Sequence, residues 1–444
     1  MSVDAQVAES RPSGWFFTRI SLFWVGLSFM WGAVNIQVLP SVVPEMVGSD
    51  LQGTAIGAIV FVGLAIAIVV QPFAGAVSDR AQFRVGRRRP FMLAGVLFVI
   101  PFLVVIGLTP FYWLLFLAVV GVQVGGNIAH GPYQGVIPDQ VPASARGRAS
   151  GFFGVANLIG TILGAAVAGQ FLAEGQVFLA LLTIAIVLVA MSLMTWAFVR
   201  ESPPPPPQAY GPVWREVRCR IRELRGKQAF VWLMGSRLLF FMGLQSMDNF
   251  LQLFFRQGLG DDSPEGKTTI VLGTVLILAV LTSIPAGWAS DRFGRLRLVA
   301  TGSCLGLGSA VLLVFAQDFI QVVAFASLLG IGLGLFTAAD WAAAIDLVPD
   351  VRAAGLYMGL TNVATAGGDA LATLSAGIAL DVVNQIAPGY GFRAVFALMG
   401  LYFLLSVVVL GKVRAHVHAA SDSPVLAPEP RSSNQQPSPD RTAP

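Results

Sequence analysis

Long apolar stretches, each about the length needed to cross a bilayer, follow one another along almost the whole chain. Twelve such runs are read at roughly 17–42, 52–77, 90–109, 111–137, 149–172, 177–199, 229–255, 268–289, 298–316, 319–348, 355–381 and 392–411. A membrane-spanning helix needs about 20 mostly apolar residues. A strand barrel would show short alternating segments instead. The pattern predicts an all-α membrane protein of twelve transmembrane helices, numbered here 1 to 12. The first residues are polar and the first apolar run is long, which predicts an uncleaved first helix rather than a signal peptide.

The polar breaks organise the chain. Residues 1–16 form a tail, 17–199 a first set of six helices, 200–228 a linker, 229–411 a second set, and 412–444 a tail expected to be disordered. Pro203 to Pro207 cannot lie inside a helix, because proline removes a backbone donor. The stretch Trp214 to Arg225 is basic and amphipathic. It fits a short helix on the membrane surface and equally a solvated connector. The chain has 28 Lys and Arg, and all but Arg237, Arg256, Lys267 and Arg393 fall in the tails or on one set of alternate loops. By the positive-inside rule these segments are cytoplasmic. Both termini are then cytoplasmic, and the expected home is a plasma or bacterial inner membrane.

The two sets of helices repeat one another. Gly75-Ala-Val-Ser-Asp79-Arg80 ends helix 2, and Gly287-Trp-Ala-Ser-Asp291-Arg292 ends helix 8. Asp139-Gln-Val-Pro142 follows helix 4, and Asp346-Leu-Val-Pro349 follows helix 10. Parallel six-helix repeats about an axis along the membrane normal are a transporter architecture, with the site at mid-membrane between the halves.

Gly287 to Arg295 fits the pattern Gly-x-x-x-Asp-Arg-x-Gly-Arg and resembles the loop signature of the major facilitator superfamily. The helix 2 copy, Val69-Val-Gln71-Pro72-Phe-Ala-Gly75-Ala-Val-Ser78-Asp79-Arg80 with Gly86-Arg87-Arg88-Arg89-Pro90-Phe91, resembles the sucrose/proton symporters and the related glycoside–pentoside–hexuronide symporters. Asn127-x-x-x-Gly131-Pro132 and Asp139 resemble the same group's fourth helix. The resemblance implies two pseudo-symmetric six-helix bundles that carry a small polar solute, a sugar or glycoside among the options, by cation-coupled symport. This chain departs from the group with Gln123 in place of an acid and Gln134 in place of an arginine. A proton-coupled mechanism must then find its carboxylate elsewhere. The helix 5 signature of many antiporters is absent, and its glycines, Gly147, Gly151, Gly154, Gly160 and Gly164, suit close packing against helix 8.

Polar residues inside the runs are the candidates for binding and coupling, because ionisable groups there cost about 2.5–3.5 kcal/mol on insertion scales. Gln123, Asn127, His130 and Gln134 form one stripe of helix 4. With Asn35, Gln37 and Asn249 they are the candidate solute-binding residues, since neutral donors and acceptors suit hydroxyl groups. Hydrogen bonding across packed helices is the competing reading of the stripe. Trp31, Tyr133 and Trp341 could offer flat faces to a ring. Arg237 and Asp340, at similar depth, are expected to pair. Asp248 and Asp369 have no obvious partner, and all four are candidates for coupling to a proton or sodium ion. The repeat offset places Asp248 opposite Ile36, on the same stretch of cavity wall. Asp79, Arg80, Arg87, Arg88, Arg89, Asp139, Asp291, Arg292 and Asp346 are the candidate gating residues, through contacts expected only while the cytoplasmic side is closed.

Other classes are poorly served. Only 12% of residues are charged, about half the share in soluble domains. Three histidines (His130, His416, His418) and two distant cysteines (Cys219, Cys304) show no metal spacing. No phosphate-binding loop is present. No metal, cofactor, enzymatic constellation or nucleic-acid face is expected. The partners are a small solute, a coupling ion and lipid, with the chain acting as a monomer. A sensor that kept the carrier fold would need a signalling domain, for which the tails are short. The runner-up is an exporter of drug-like or lipophilic compounds, using Asp248 among Phe240, Phe241, Phe250 and Phe254; a uniporter is a further alternative.

Overall fold

The hydrophobic runs become twelve long helices in a computed structural model, which describes residues 13–83, 85–141, 146–198, 227–347 and 354–421. The basic linker stretch Trp214 to Arg225 and the outer parts of both tails lie outside the described residues. Helices 1 to 6 span Gly14–Val47, Gln52–Asp79, Arg89–Leu108, Tyr112–Gln134, Arg146–Ala173 and Val177–Phe198. Helices 7 to 12 span Gln228–Gly258, Pro264–Phe293, Arg295–Leu313, Phe319–Asp346, Ala354–Ile386 and Gly391–Ser421. Among the described residues, twelve helices are long and apolar enough to cross a membrane. Large apolar side chains such as Leu97, Leu117, Ile186, Leu281 and Val408 remain exposed on their outer faces, as lipid contact requires.

The repeat read from the motifs is also a repeat of packing. Helix 1 packs on 5 and 6, 2 on 4, and 3 on 4 and 6; helix 7 packs on 11 and 12, 8 on 10, and 9 on 10 and 12. Adding six to each helix of the first half gives the second. The principal contacts between halves, helix 2 with 11 and helix 5 with 8, exchange under the same operation. Locally the two motif copies match as well. Ser78 Oγ donates to the Gly75 carbonyl and Ser290 Oγ to the Gly287 carbonyl, each at 2.8 Å.

Small residues set the close approaches. A Cβ on Gly164 would lie 2.1 Å from the Phe29 carbonyl oxygen, and one on Gly160 2.5 Å from that of Val25. These helix 5 glycines therefore seat helix 5 on helix 1. Gly154, in contrast, faces open space. Elsewhere, aromatic rings fill the gaps. Phe240 stacks on Phe336 with centroids 3.5 Å apart, and Phe403 meets Phe240 edge-on at 5.2 Å. Buried Ser236, Ser303 and Ser406 hydrogen-bond one another across helices 7, 9 and 12.

The first helix of each half is irregular at mid-depth. Helix 1 widens into a π-helical stretch over Gly32–Val38. Helix 7 ends its regular part at Asp248, turns at Asn249 and Phe250, and closes with a π turn over Phe254–Gly258. Irregular backbone at membrane depth survives only where protein or a polar cavity satisfies it, and π-bulges concentrate at functional sites.

Candidate functional site

Two features lie between the halves. The first is a belt of cross-half hydrogen bonds at the end of the bundle opposite the termini. Asp381 of helix 11 accepts the backbone N–H groups of Gly53 and Thr54 at 3.0 and 2.6 Å. Its carboxylate thereby caps the start of helix 2 from the other half, where orphan donors and the helix dipole favour negative charge. Gln52 and Gln257 exchange amide bonds at 2.6 and 2.8 Å. Gln252 Nε2 donates to Ser41 Oγ at 2.8 Å and to Glu265 Oε1 at 3.2 Å, and Arg256 pairs with Glu265 at 2.6 Å. Gly53 and Gly377 permit the contact: a Cβ on Gly377 would lie 2.1 Å from the Gly53 oxygen.

The second feature is a cavity of about 290 Å³ at mid-depth, walled mainly by helices 5 and 8 and reached by helices 1, 7 and 10. Its wall includes Ile36, Leu158, Ile162, Leu244, Leu272, Leu276, Leu333 and Asp248. Ile36 and Asp248 share it, as the repeat offset predicts. Asp248 Oδ1 is buried with no hydrogen-bond partner. Asp369 stands close enough to act on it electrostatically.

The remaining candidates separate into groups. Gln37 belongs to the belt, where its Nε2 donates to the Glu265 carbonyl at 3.2 Å and to Thr269 Oγ1 at 3.1 Å. Asn35 is half-buried in the π stretch beside Ile36. On helix 4, Asn127 Nδ2 donates to the Gln123 carbonyl at 2.7 Å and approaches Gln123 Oε1 at 3.4 Å, and both residues are buried. The Gln123 side chain fills the space left by Gly63 of helix 2. His130 packs against the Trp24 ring, centroids 4.5 Å apart and planes tilted by 34°, and meets Gln134 at 3.4 Å. The stripe is thus one face of helix 4, and contacts within it join Asn127 to Gln123 and Gln134 to His130.

Two expectations need correction. Asp369 has partners: Asn249 Nδ2 reaches its Oδ1 at 3.2 Å and Thr373 Oγ1 at 2.6 Å. The break after Asp248 turns Asn249 toward helix 11, which an unbroken helix pattern does not reveal. Tyr133 offers no free ring face, because it is buried and its hydroxyl donates to the Ile20 carbonyl at 2.8 Å. Of the other two rings, Trp31 packs over Gly126 and Trp341 is exposed.

Arg237 and Asp340 do pair, and both are buried. Arg237 Nε also donates to Thr365 at 3.0 Å, with the Phe241 and Trp341 rings 5.4 and 5.8 Å from the guanidinium. Leu333 and Thr337 line the cavity, and Asp340 lies about one turn further along the same face. Leu244 and Arg237 stand in the same relation two turns apart on helix 7. The pair therefore continues the cavity-facing surface toward the termini.

At that end, Arg87 and Arg88 both pair with Asp139, at 2.7 and 2.6 Å. Burial pushes the Asp139 carboxyl up, but the two guanidinium groups outweigh it and hold it below its ordinary value. This cluster lies within the first half, so it forms without any contact between halves, contrary to the expectation of a purely closed-state contact. Arg88 also donates to the Pro132 carbonyl of helix 4 at 3.3 Å, and Arg295 donates to the Ala342 carbonyl of helix 10 at 2.7 Å. Arg295 extends the repeat to a residue the motif contains but the candidate set omits. Arg89 lies over Trp196 and Arg292 over Phe293, at 5.8 and 5.6 Å, while Arg80 is exposed. The side chains of Asp79, Asp291 and Asp346 lie outside the described residues. Among the described residues, no cluster of His, Cys, Asp or Glu could hold a metal.

The belt residues Asp381, Gln52, Gln252, Gln257 and Glu265 are absent from the candidates. At helix ends they look like ordinary polar termini. The one available signal is the repeat: helix 2 meets helix 11, so an acid at one helix's end faces the other's start.

Comparison with known proteins agrees with this geometry. The chain is 24% identical over 410 residues to the multidrug resistance protein MdtG of Yersinia enterocolitica, covering 88% of this chain and 91% of that one. The nucleoside transporter NupG superposes with a TM-score of 0.72 at 14% identity, covering 90% of this chain and 99% of NupG. A D-xylose–proton symporter superposes with a TM-score of 0.68 at 17% identity, covering 90% and 98%. The family profile described as Major Facilitator Superfamily matches residues 22–279 and 263–442. Twelve apolar helices in two repeated halves, with a cavity between them, agree with that match across most of the chain: this multi-pass membrane protein is a transporter of the Major Facilitator Superfamily, not an enzyme.

Proposed function

We propose that the protein moves a small solute with an apolar body through the helix 5–8 cavity by alternating access, coupled to a cation gradient. The observation that carries this reading is the cavity itself: it lies at mid-depth between the halves and holds an incompletely bonded carboxylate among aliphatic side chains. A binding site of this type, mostly apolar with a few placed polar groups, is usual for small ligands. With the termini in the cytoplasm of a plasma or bacterial inner membrane, as the arginine and lysine placement supports, the belt closes the outer side. Opening it and closing the opposite side completes the cycle.

The sugar-symporter resemblance receives less support than the exporter alternative. The Asn127 amide nitrogen is committed to Gln123, and the cavity wall is mainly Leu, Ile, Val and Ala. The similarity to proteins named for multidrug resistance points the same way. Coupling is assigned to Asp248, which faces the cavity, with Asp369 behind it and the Arg237–Asp340 pair on the same surface. The arginine clusters after helices 2 and 8, with Asp79, Asp139, Asp291 and Asp346, are assigned to the cytoplasmic gate.

Uptake of a panel of labelled sugars, nucleosides, amines and apolar dyes into proteoliposomes, with and without a proton or sodium gradient, tests the reading. Gradient-dependent movement of an apolar compound is expected. Movement of sugars alone would restore the sugar reading.

A further inference from the structure

The polar groups on the cavity wall narrow the solute further; this step rests on the cavity being the solute site. They are Asn157, Thr161, Thr269, Ser283, Thr337 and Asp248. A hydroxyl has one hydrogen to donate and two lone pairs to offer. All four hydroxyls have their hydrogen committed inside the protein. Thr161 donates to Asn157 Oδ1 at 3.2 Å, Thr269 to the Glu265 carbonyl at 3.0 Å, Ser283 to the Val280 carbonyl at 2.8 Å and Thr337 to the Leu333 carbonyl at 2.8 Å. What remains on them is lone pairs, one of which, on Thr269, accepts from Gln37 Nε2. Asp248, ionised, adds only acceptors, and its Oδ1 has no partner. The Asn157 amide supplies the donors among the described lining side chains, and none of those is a lysine, arginine or histidine.

A wall rich in acceptors and poor in donors mismatches a sugar, whose hydroxyls must both give and receive. It matches a group that only donates. We propose that the cavity takes an organic cation bearing N–H groups on an apolar body, such as a protonated amine, with Asp248 as its anchor. The ammonium donates to the Asp248 carboxylate, and Thr161 of helix 5, at about the same depth, offers lone pairs to its remaining N–H groups. The aliphatic wall of Leu158, Ile162, Leu272 and Leu276 takes the body.

Calorimetry on the purified full chain in detergent tests this with three probes of one shape: naphthylmethylamine, its trimethylammonium analogue and naphthylmethanol. The amine is expected to bind most tightly. Asp248→Asn is expected to weaken the amine by about 30-fold or more, the usual loss when one partner of a desolvated charged hydrogen bond is removed, and to leave the alcohol unchanged. Thr161→Val, at about the depth of Asp248, keeps the shape and removes lone pairs; it is expected to weaken the amine alone and decides the matter if Asp248→Asn does not fold. Equal binding of amine and alcohol, or equal binding of amine and trimethylammonium, would overturn the proposal. Gly273→Leu distinguishes the place of binding from the class of solute. If it abolishes binding of a sugar, or of a neutral probe that the parent protein binds as tightly as the amine, the cavity is the site and the solute class is wrong. If amine binding survives it, the cavity is not the site.

Discussion

Replacing Asp381 with asparagine removes the charge that caps helix 2 from the opposite half. The carboxylate receives two backbone N–H groups, from Gly53 and Thr54 at 3.0 and 2.6 Å. Hydrogen bonds to a charged group contribute about 1.5–3 kcal/mol each, and the helix dipole adds about 0.3–1 kcal/mol. Asparagine keeps one acceptor oxygen and turns an NH₂ toward the second donor. The expected loss is one charged bond plus the dipole contribution, about 2–4 kcal/mol in favour of opening the belt. At 1.4 kcal/mol per factor of ten, the ratio of closed to open outer side falls by about 30- to 700-fold. The Gln52–Gln257 pair remains, so Gln52→Ala should act in the same direction but more weakly, by about 0.5–1.5 kcal/mol. Spin labels at Ser49 and Asp262, exposed positions of opposite halves at this end, read the distance between the halves, with Cys219 and Cys304 replaced by serine. Pulsed electron resonance should show a longer-distance population in Asp381→Asn. A distance distribution identical to that of the parent protein would refute the capping argument.

Three further outcomes follow from the same physics. Arg237→Met alone should lower the melting temperature by the equivalent of about 3–5 kcal/mol, because it strands Asp340 in the protein interior, and adding Asp340→Leu should recover much of the loss; equal destabilisation by the single and double variants would contradict a buried pair. Asp139, held below its ordinary value by Arg87 and Arg88, contributes stability that is present above the unfolded carboxylate value and lost as pH falls through the lower folded one; Asp139→Asn should therefore cost a constant amount, up to about 1 kcal/mol for a partly exposed pair, from neutral pH to mild acid, with the difference shrinking only in stronger acid. Cysteine at Ser263 should react with an impermeant reagent added outside intact cells, and cysteine at Lys412 should not; the reverse would invert the orientation.

The fold was legible because its signals are collective. Each span rests on some twenty residues, and the repeat on two motif pairs at nearly one offset. That offset carried the Ile36–Asp248 relation correctly into three dimensions. The Arg237–Asp340 pair was readable because charges at equal depth in lipid have few alternatives. The belt was not, because Gln52, Gln252, Gln257 and Asp381 at helix ends are indistinguishable in sequence from residues that face water. The role of Asn249 depended on a break in helix 7 that no proline or glycine marks at that point. Helix 4 shows a further limit. Periodicity places Gln123, Asn127, His130 and Gln134 on one face, but it does not tell whether a polar face looks into a cavity or closes on itself.

Gly273 of helix 8 lines the cavity, and a Cβ added there meets nothing within 4 Å. Leucine can therefore enter the cavity without displacing backbone, and it replaces the poorest helix former but proline, a gain of about 0.8 kcal/mol in propensity. If this cavity is the path of the solute, Gly273→Leu in proteoliposomes should keep or raise its melting temperature and lose transport of whichever panel compound the parent protein accumulates. Undiminished transport by a folded Gly273→Leu protein would contradict the assignment of the site.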